Sequence, residues 1–173
     1  MKKLTLLLLS FLTVFAIGAS ATPELKVKEL GIQLKDKGKP TNSFVYAVRT
    51  GNLLFLSGHI STDSKGDIIR GKLGKDLTTE QGAEAARMAG ISILSTINQQ
   101  LGSLSRVEKL VKVTGMVNAA PEFTEHSTVM NGFSNLMLEV FGDNGQHARA
   151  AVGMGSLPAN AAVEIEVILE VKD

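Results

Sequence analysis

Apolar positions recur along this chain with two different periods, and each change of period marks an element. Alternation is clearest near the C-terminus. There Val163, Ile165, Val167, Leu169 and Val171 alternate with Glu164, Glu166, Ile168 and Glu170. This predicts a strand with one apolar face for a core. Its other face carries acids plus Ile168, which suits a surface partly covered by another subunit. "HARAAVGM" at 147–154 reads as the strand before it, and "VEKLVKVTGMV" at 107–117 as another. "FVYAVRT" at 44–50 and "LLFLS" at 53–57 flank Gly51-Asn52 and predict a hairpin. "VKELGIQL" at 27–34 is read as a short first strand.

Two stretches change to the helical period. Ala86, Gly90, Ile93, Leu94, Ile97 and Leu101 fall three and four apart, after a Thr78/Gln81 capping-box pattern and before Gly102 as a stop. Phe123, Val129, Phe133, Leu136, Met137 and Val140 give a second, irregular apolar face, with Pro121 expected in its first turn and "GDNG" at 142–145 ending it. The loop-forming composition of 38–43 and 58–78 separates these elements. The resulting order is strand, hairpin, helix, strand, helix, two strands. It predicts one α+β domain over 22–173, with both helices on one face of a mixed sheet.

The first 21 residues stand apart. A basic "MKK" precedes the apolar "LTLLLLSFLTVFA", and Ala19-Ser20-Ala21 offers small residues for cleavage. This order predicts a secretory signal peptide cut after Ala21, and a periplasmic or secreted mature chain. The other reading of this run is a membrane anchor, but it is shorter than the ~20 residues a spanning helix needs. With no cysteine, the chain has no disulfide framework, thiol chemistry or lipid-acylated cysteine. Its 18 basic and 17 acidic residues become 16 and 17 without the leader. That balance argues against a nucleic-acid partner.

Several candidate motifs are weak. "GDIIRGK" at 66–72 approaches a phosphate-binding loop, but Leu73 stands where the metal-binding hydroxyl belongs. His59, His126 and His147 lack metal-ligand spacing, so no metal site is expected. His59, at a strand end after Ser57-Gly58, reads as a structural or pocket-lining histidine. No G-x-S-x-G elbow supports a serine hydrolase. The sharper signal is Arg149, a guanidinium inside an apolar strand. By alternation it shares a face with the small Ala151 and Gly153, which leaves space before it. A buried unpaired charge costs about 3–5 kcal/mol, so Arg149 needs an anion. Two partners fit: Glu164 or Glu166 in a structural ion pair, or the carboxylate of a ligand held bidentately.

"GNLLFLSGHIS", "GKLGKDLTTEQGAEAARMA", Asn131-Gly132, "HARAAVG" and "LPANAAVEIEVILEV" together resemble the Rid family, also called YjgF or endoribonuclease L-PSP. The resemblance covers about 40–173. Its specific part is R-x-x-V-x-x-x-x-L-P-x-x-x-x-V-E-I-E, from Arg149 to Glu166. It implies a chorismate mutase-like (bacillus type) fold, a mixed six-stranded sheet with two helices on one face. It also implies a homotrimer with sites in clefts between subunits. Typical members hydrolyse the imine tautomers of enamines such as 2-aminoacrylate to a 2-keto acid and ammonia, without a cofactor. By the same resemblance Arg149 grips the substrate carboxylate and Glu164 positions the attacking water. Ser57 and Gly58 line the cleft at a strand end, and Asn131 matches a cleft asparagine. Phe44 stands where the family has a tyrosine, with Tyr46 nearby, and Ala151 where it often has a cysteine. The expected partner is a small carboxylate-bearing substrate, with no nucleic acid and, after leader removal, no membrane. A non-catalytic small-carboxylate binder of the same fold is the alternative. An RNA-cleaving translation inhibitor is a weaker one, because the chain has few aromatic side chains to stack on bases.

Overall fold

The computed structural model describes residues 21–40 and 43–172. The leader expected at 1–21 therefore lies outside the described residues, apart from Ala21. The described chain begins with a helix, α1 (Pro23–Glu29), where 27–34 was expected to start a strand. The local chemistry explains the difference. The Thr22 side chain accepts a bond from the Leu25 N–H, Pro23 occupies the first turn, Glu24 is acidic there, and Lys26 and Lys28 lie near the end. Each is a helix signal, and together they outweigh a short apparent alternation. Residues 32–40 then run without regular structure across the next helix, with Ile32 and Leu34 packed against the core.

The sheet consequently has five strands among the described residues, not six. They are β1 (Ala47–Thr50), β2 (Leu53–Ile60), β3 (Val107–Asn118), β4 (Ala148–Met154) and β5 (Val163–Val171). The spatial order is β1-β2-β5-β3-β4; only β3 and β4 run parallel. The crossover between that parallel pair is α3 (His126–Phe141), while α2 (Thr79–Leu101) leads from β2 to β3. Thus β1 and β4 form the two edges of the sheet.

The α2 boundaries follow the expected chemistry. The Thr78 hydroxyl accepts from Gln81 N–H at 3.3 Å, and the Gln81 side-chain oxygen accepts from Thr78 N–H at 2.9 Å. Gly102 ends the helix in the left-handed region, at φ 76°. The second helix begins later than Pro121 suggested. Ala119 N–H donates to Met154 O and Ala120 N–H to Leu73 O, which ties 119–120 to neighbouring chain and delays the helix to His126.

Both long helices cover one sheet face. Ile93, Leu94 and Ile97 of α2 and Phe133, Leu136 and Met137 of α3 bury against Leu54, Leu110, Val113 and the odd-numbered positions of β5. Each such side chain contributes about 1.5–3 kcal/mol of burial. The opposite face is uncovered in the single chain. Val48, Phe55, Ile168 and Lys112 form one cross-strand row on it. Val48 and Phe55 are exposed by 56% and 38%, so this row is open to solvent in the single chain. The 58–78 region, expected as a polar loop, is anchored by apolar side chains: Leu73 is fully buried, with its N–H donating to Asn118 O, and Ile69 and Leu77 pack against the core.

Candidate active site

Arg149 lies on the edge strand β4 and faces the helices. In register it pairs with Val113, which pairs with the buried Val167. Its guanidinium reaches α3. Nη1 donates to Asn131 Oδ1 at 3.0 Å and to Ser134 Oγ at 2.9 Å, while Nη2 donates to Ser127 O at 3.3 Å. Neither Glu164 nor Glu166 pairs with it, so the structural ion pair weighed above does not form. A guanidinium has five N–H donors. Nε–H and one Nη2–H are left without an acceptor among the described residues.

A second layer holds this arginine. His147 Nδ1 lies 2.7 Å from Gly145 O, so it must carry the proton and donate. In the neutral ring Nε2 is then an acceptor, and the Ser134 hydroxyl donates to it across 3.0 Å. Ser134 is thereby free to accept from Arg149 through its lone pairs. Burial lowers the His147 pKa, against the bond to Gly145 O and with a smaller contribution from the Arg149 charge, and so favours the neutral ring. Asn131 is placed by its neighbour. A Cβ on Gly132 would come within 2.7 Å of the Ala83 carbonyl carbon, so only glycine lets α3 lie this close to α2.

Ser127 and Ser134 were not singled out in the sequence, and His147 was weighed only as a histidine without metal-ligand spacing. The signal was present, because Ser127, Asn131 and Ser134 recur at spacings of four and three on α3, a polar stripe beside the apolar one. The space expected beside Arg149 is also smaller than the alternation implied. His126 Nε2 occupies the room a Cβ would take on Gly153, and the His126 ring packs edge-on against Phe123 at 5.4 Å. Ala151, half-buried against the core, remains the small neighbour next to the arginine.

Glu164 forms a separate cluster. It pairs with Met116, and Met116 with Val152, a row on the uncovered face. Its carboxylate lies over Gly58: a Cβ there would clash with Oε1 and sit 2.9 Å from the carboxyl carbon. The β2–β5 register shifts between Leu56 and His59, so Ser57 and Gly58 form a bulge in front of β5. The Ser57 N–H donates to Tyr46 O, and its carbonyl accepts from His59 Nδ1 at 2.6 Å. That bond fixes the His59 tautomer, so the Thr96 hydroxyl donates to Nε2 at 2.7 Å. His59 is 3% exposed, and burial lowers its pKa to about 4. It is a structural histidine beneath the bulge. Burial first, and then the Glu166 charge, raises the Glu164 pKa.

Phe44 precedes β1, 48% exposed, with its ring edge-on to Tyr46 at 6.1 Å. The predicted site residues therefore fall into two groups. Arg149, Asn131 and Ala151 lie at the β4 edge under α3. Glu164, Gly58, Ser57 and Phe44 lie across the sheet, toward the β1 edge. Arg149 and Glu164 point to opposite faces of one sheet.

Comparison with known proteins shows the family and the fold. Residues 29–171 match the family described as "YjgF/chorismate_mutase-like, putative endoribonuclease". Protein TCP17 of Trypanosoma cruzi is 38% identical over 159 residues, covering 91% of this chain and 99% of its own. The crystal structure of Atu1372 from Agrobacterium tumefaciens, a protein of unknown function, superposes with a TM-score of 0.79 at 39% identity, covering 87% of this chain and 94% of that one. A Shewanella oneidensis structure described as a "putative endoribonuclease" gives 0.83 at 26% identity, covering 87% and 100%. With its family match, its chorismate mutase-like α+β fold and these relatives, the chain belongs to the YjgF (Rid) family.

Proposed function

We infer that this protein hydrolyses small imines bearing a carboxylate, of the 2-aminoacrylate type, to a 2-keto acid and ammonia. The observation that carries this reading is Arg149. Its guanidinium is held in place by three bonds to α3, keeps two donors unspent, and has no carboxylate partner among the described residues. A planar fork in that state fits a substrate carboxylate bidentately.

The chemistry needs one more group. Water adds to the C=N carbon, a base takes its proton, the nitrogen gains protons, and the C–N bond breaks to release ammonia. The Glu164 carboxylate has no hydrogen-bond partner among the described residues, and its raised pKa brings it closer to neutral working pH. Because Arg149 and Glu164 face opposite sides of one sheet, the site is completed between copies of the chain. The partly exposed apolar row Val48–Phe55–Ile168 supports such an assembly, a homotrimer by the family's pattern. Orientation of water and imine between the two groups replaces a bimolecular encounter.

The test supplies 2-imino acids from an amino-acid oxidase in the presence of semicarbazide. The mature chain suppresses semicarbazone formation and Arg149→Ala does not. Failure of the wild type across a panel of amino acids overturns the reading. The alternative, a non-catalytic binder of small carboxylates, is favoured by one feature: Phe44 supplies no hydroxyl at the cleft. In that case the wild type binds a 2-keto acid through Arg149 without turnover. The mature chain, from Thr22, is proposed to act outside the cytoplasm, which N-terminal sequencing of the native protein tests.

A further inference from the structure

A cavity of about 500 Å³ lies on the far side of α2 from the sheet, between residues 30–37, the 62–66 loop and the Arg87–Ser95 stretch of the helix. Leu30, Ile32, Met88 and Ile91 give it apolar walls, while Lys35, Lys37 and Arg87 bring three cations to its lining. None of the Arg149 or Glu164 cluster takes part in it.

Lys37 is held there at both ends. Its N–H donates to Gln99 Oε1 at 3.2 Å, and Gln99 Nε2 donates to Gly38 O at 3.1 Å. The side chain then runs back along two turns of α2, where Nζ donates to the Ser92 hydroxyl. Nζ also stands 5.6 Å from the Tyr46 ring centroid. No carboxylate among the described residues pairs with it. Asp36 and Asp63, which line the same cavity, each use one oxygen, Oδ1, to accept from backbone N–H groups, of Gly38 and of Lys65 and Asp67 respectively. Arg87 is bonded to Glu139 through Nη1 alone. Lys37 is thus a half-buried amine, bonded to a neutral hydroxyl and without a carboxylate partner among the described residues. These conditions favour the uncharged, nucleophilic form. Burial lowers its pKa, consistent with that geometry.

We propose that Lys37 is an imine-forming lysine, whose amine condenses in this cavity with the carbonyl of a small 2-oxo acid while Lys35 and Arg87 receive the carboxylate. The amine adds to the carbonyl carbon and one nitrogen proton passes to the oxygen. The resulting carbinolamine loses that hydroxyl with the second nitrogen proton as water, leaving C=N. No electrons are exchanged with another reagent. Ser92 holds the nitrogen toward the cavity and is the nearest hydroxyl for proton transfer.

The site stands independently of the Arg149 reading. The test treats the purified mature chain with pyruvate and cyanoborohydride, which reduces the imine to a stable secondary amine, and maps adducts by peptide mass spectrometry. Expected is a saturable adduct on Lys37 while the exposed Lys75 stays unlabelled. It is absent in Lys37→Arg and retained in Arg149→Ala. Propanal, which lacks the carboxylate, labels Lys37 at least tenfold less efficiently than pyruvate. Equal labelling of Lys37 and Lys75, absence of label on Lys37, or a yield that rises without saturation overturns the proposal.

Discussion

The Glu164 carboxylate rests directly over the Cα of Gly58, in the space where any other residue would carry its Cβ. Gly58→Ala should therefore displace Glu164 and lower turnover without touching Arg149. Glu164→Gln tests the same slot more gently. It should reduce kcat by at least tenfold and leave KM for the imine largely unchanged, the signature of a group used in the transition state. Steady-state kinetics on both variants decides; an unchanged kcat in Glu164→Gln removes Glu164 from the mechanism.

Glu164 also predicts a stability effect. Its pKa is raised on folding, so the folded protein binds more proton just above the ordinary carboxylate range, and stability falls as pH rises through that window. Glu164→Gln should melt higher than wild type at neutral pH. The difference should vanish in acid, below the ordinary value of 4.5. Calorimetry at two pH values measures it.

Arg149 acts as a fork, not merely as a charge. Arg149→Lys keeps the charge but cannot make the same planar set of bonds to Asn131, Ser134 and a carboxylate. It should lose roughly 100-fold in kcat/KM, as the loss of about 3 kcal/mol of charged hydrogen bonding would cause. Ser134→Ala should lose less, since Asn131 and Ser127 still hold the guanidinium.

His59 sets a pH limit. Its pKa falls from 6.5 to about 4 on burial, so the unfolded chain binds the extra proton between those values. Stability is fully present above 6.5, declines as pH drops toward 4, and loses up to about 3 kcal/mol on this account. His59→Gln retains a donor and an acceptor without titrating. Urea melts from pH 7 to 4 should show a shallower slope for it.

Gly132→Ala should destabilise the protein by about 1–3 kcal/mol, because the new methyl meets the Ala83 backbone, which cannot swing aside. The shift of α3 should carry Asn131 away from Arg149 and lower activity beyond the loss of stability. Chemical denaturation and kinetics on the same variant separate the two effects.

Much of the scaffold was legible in the sequence. The β5 alternation gave its buried face residue by residue, and Thr78, Gln81 and Gly102 bounded α2. Those signals are local, and local chemistry is what a sequence displays. Residues 27–34 misled because only Val27 of α1 is buried, so the cap at Thr22 and Pro23 outweighed a short apolar alternation. Arg149 was found as an isolated charge, but its partners needed the α3 crossover to reach β4. The separation of Arg149 and Glu164 depends on strand order and register, to which no local pattern refers.

That separation has a genetic consequence. If a working site takes its arginine from one chain and its glutamate from another, a lesion in one half can be complemented by a chain damaged only in the other half. Arg149→Ala and Glu164→Gln, each impaired alone, should regain activity when unfolded and reassembled together, since some mixed oligomers would bring one intact arginine to one intact glutamate. The same chain carrying both lesions should rescue neither.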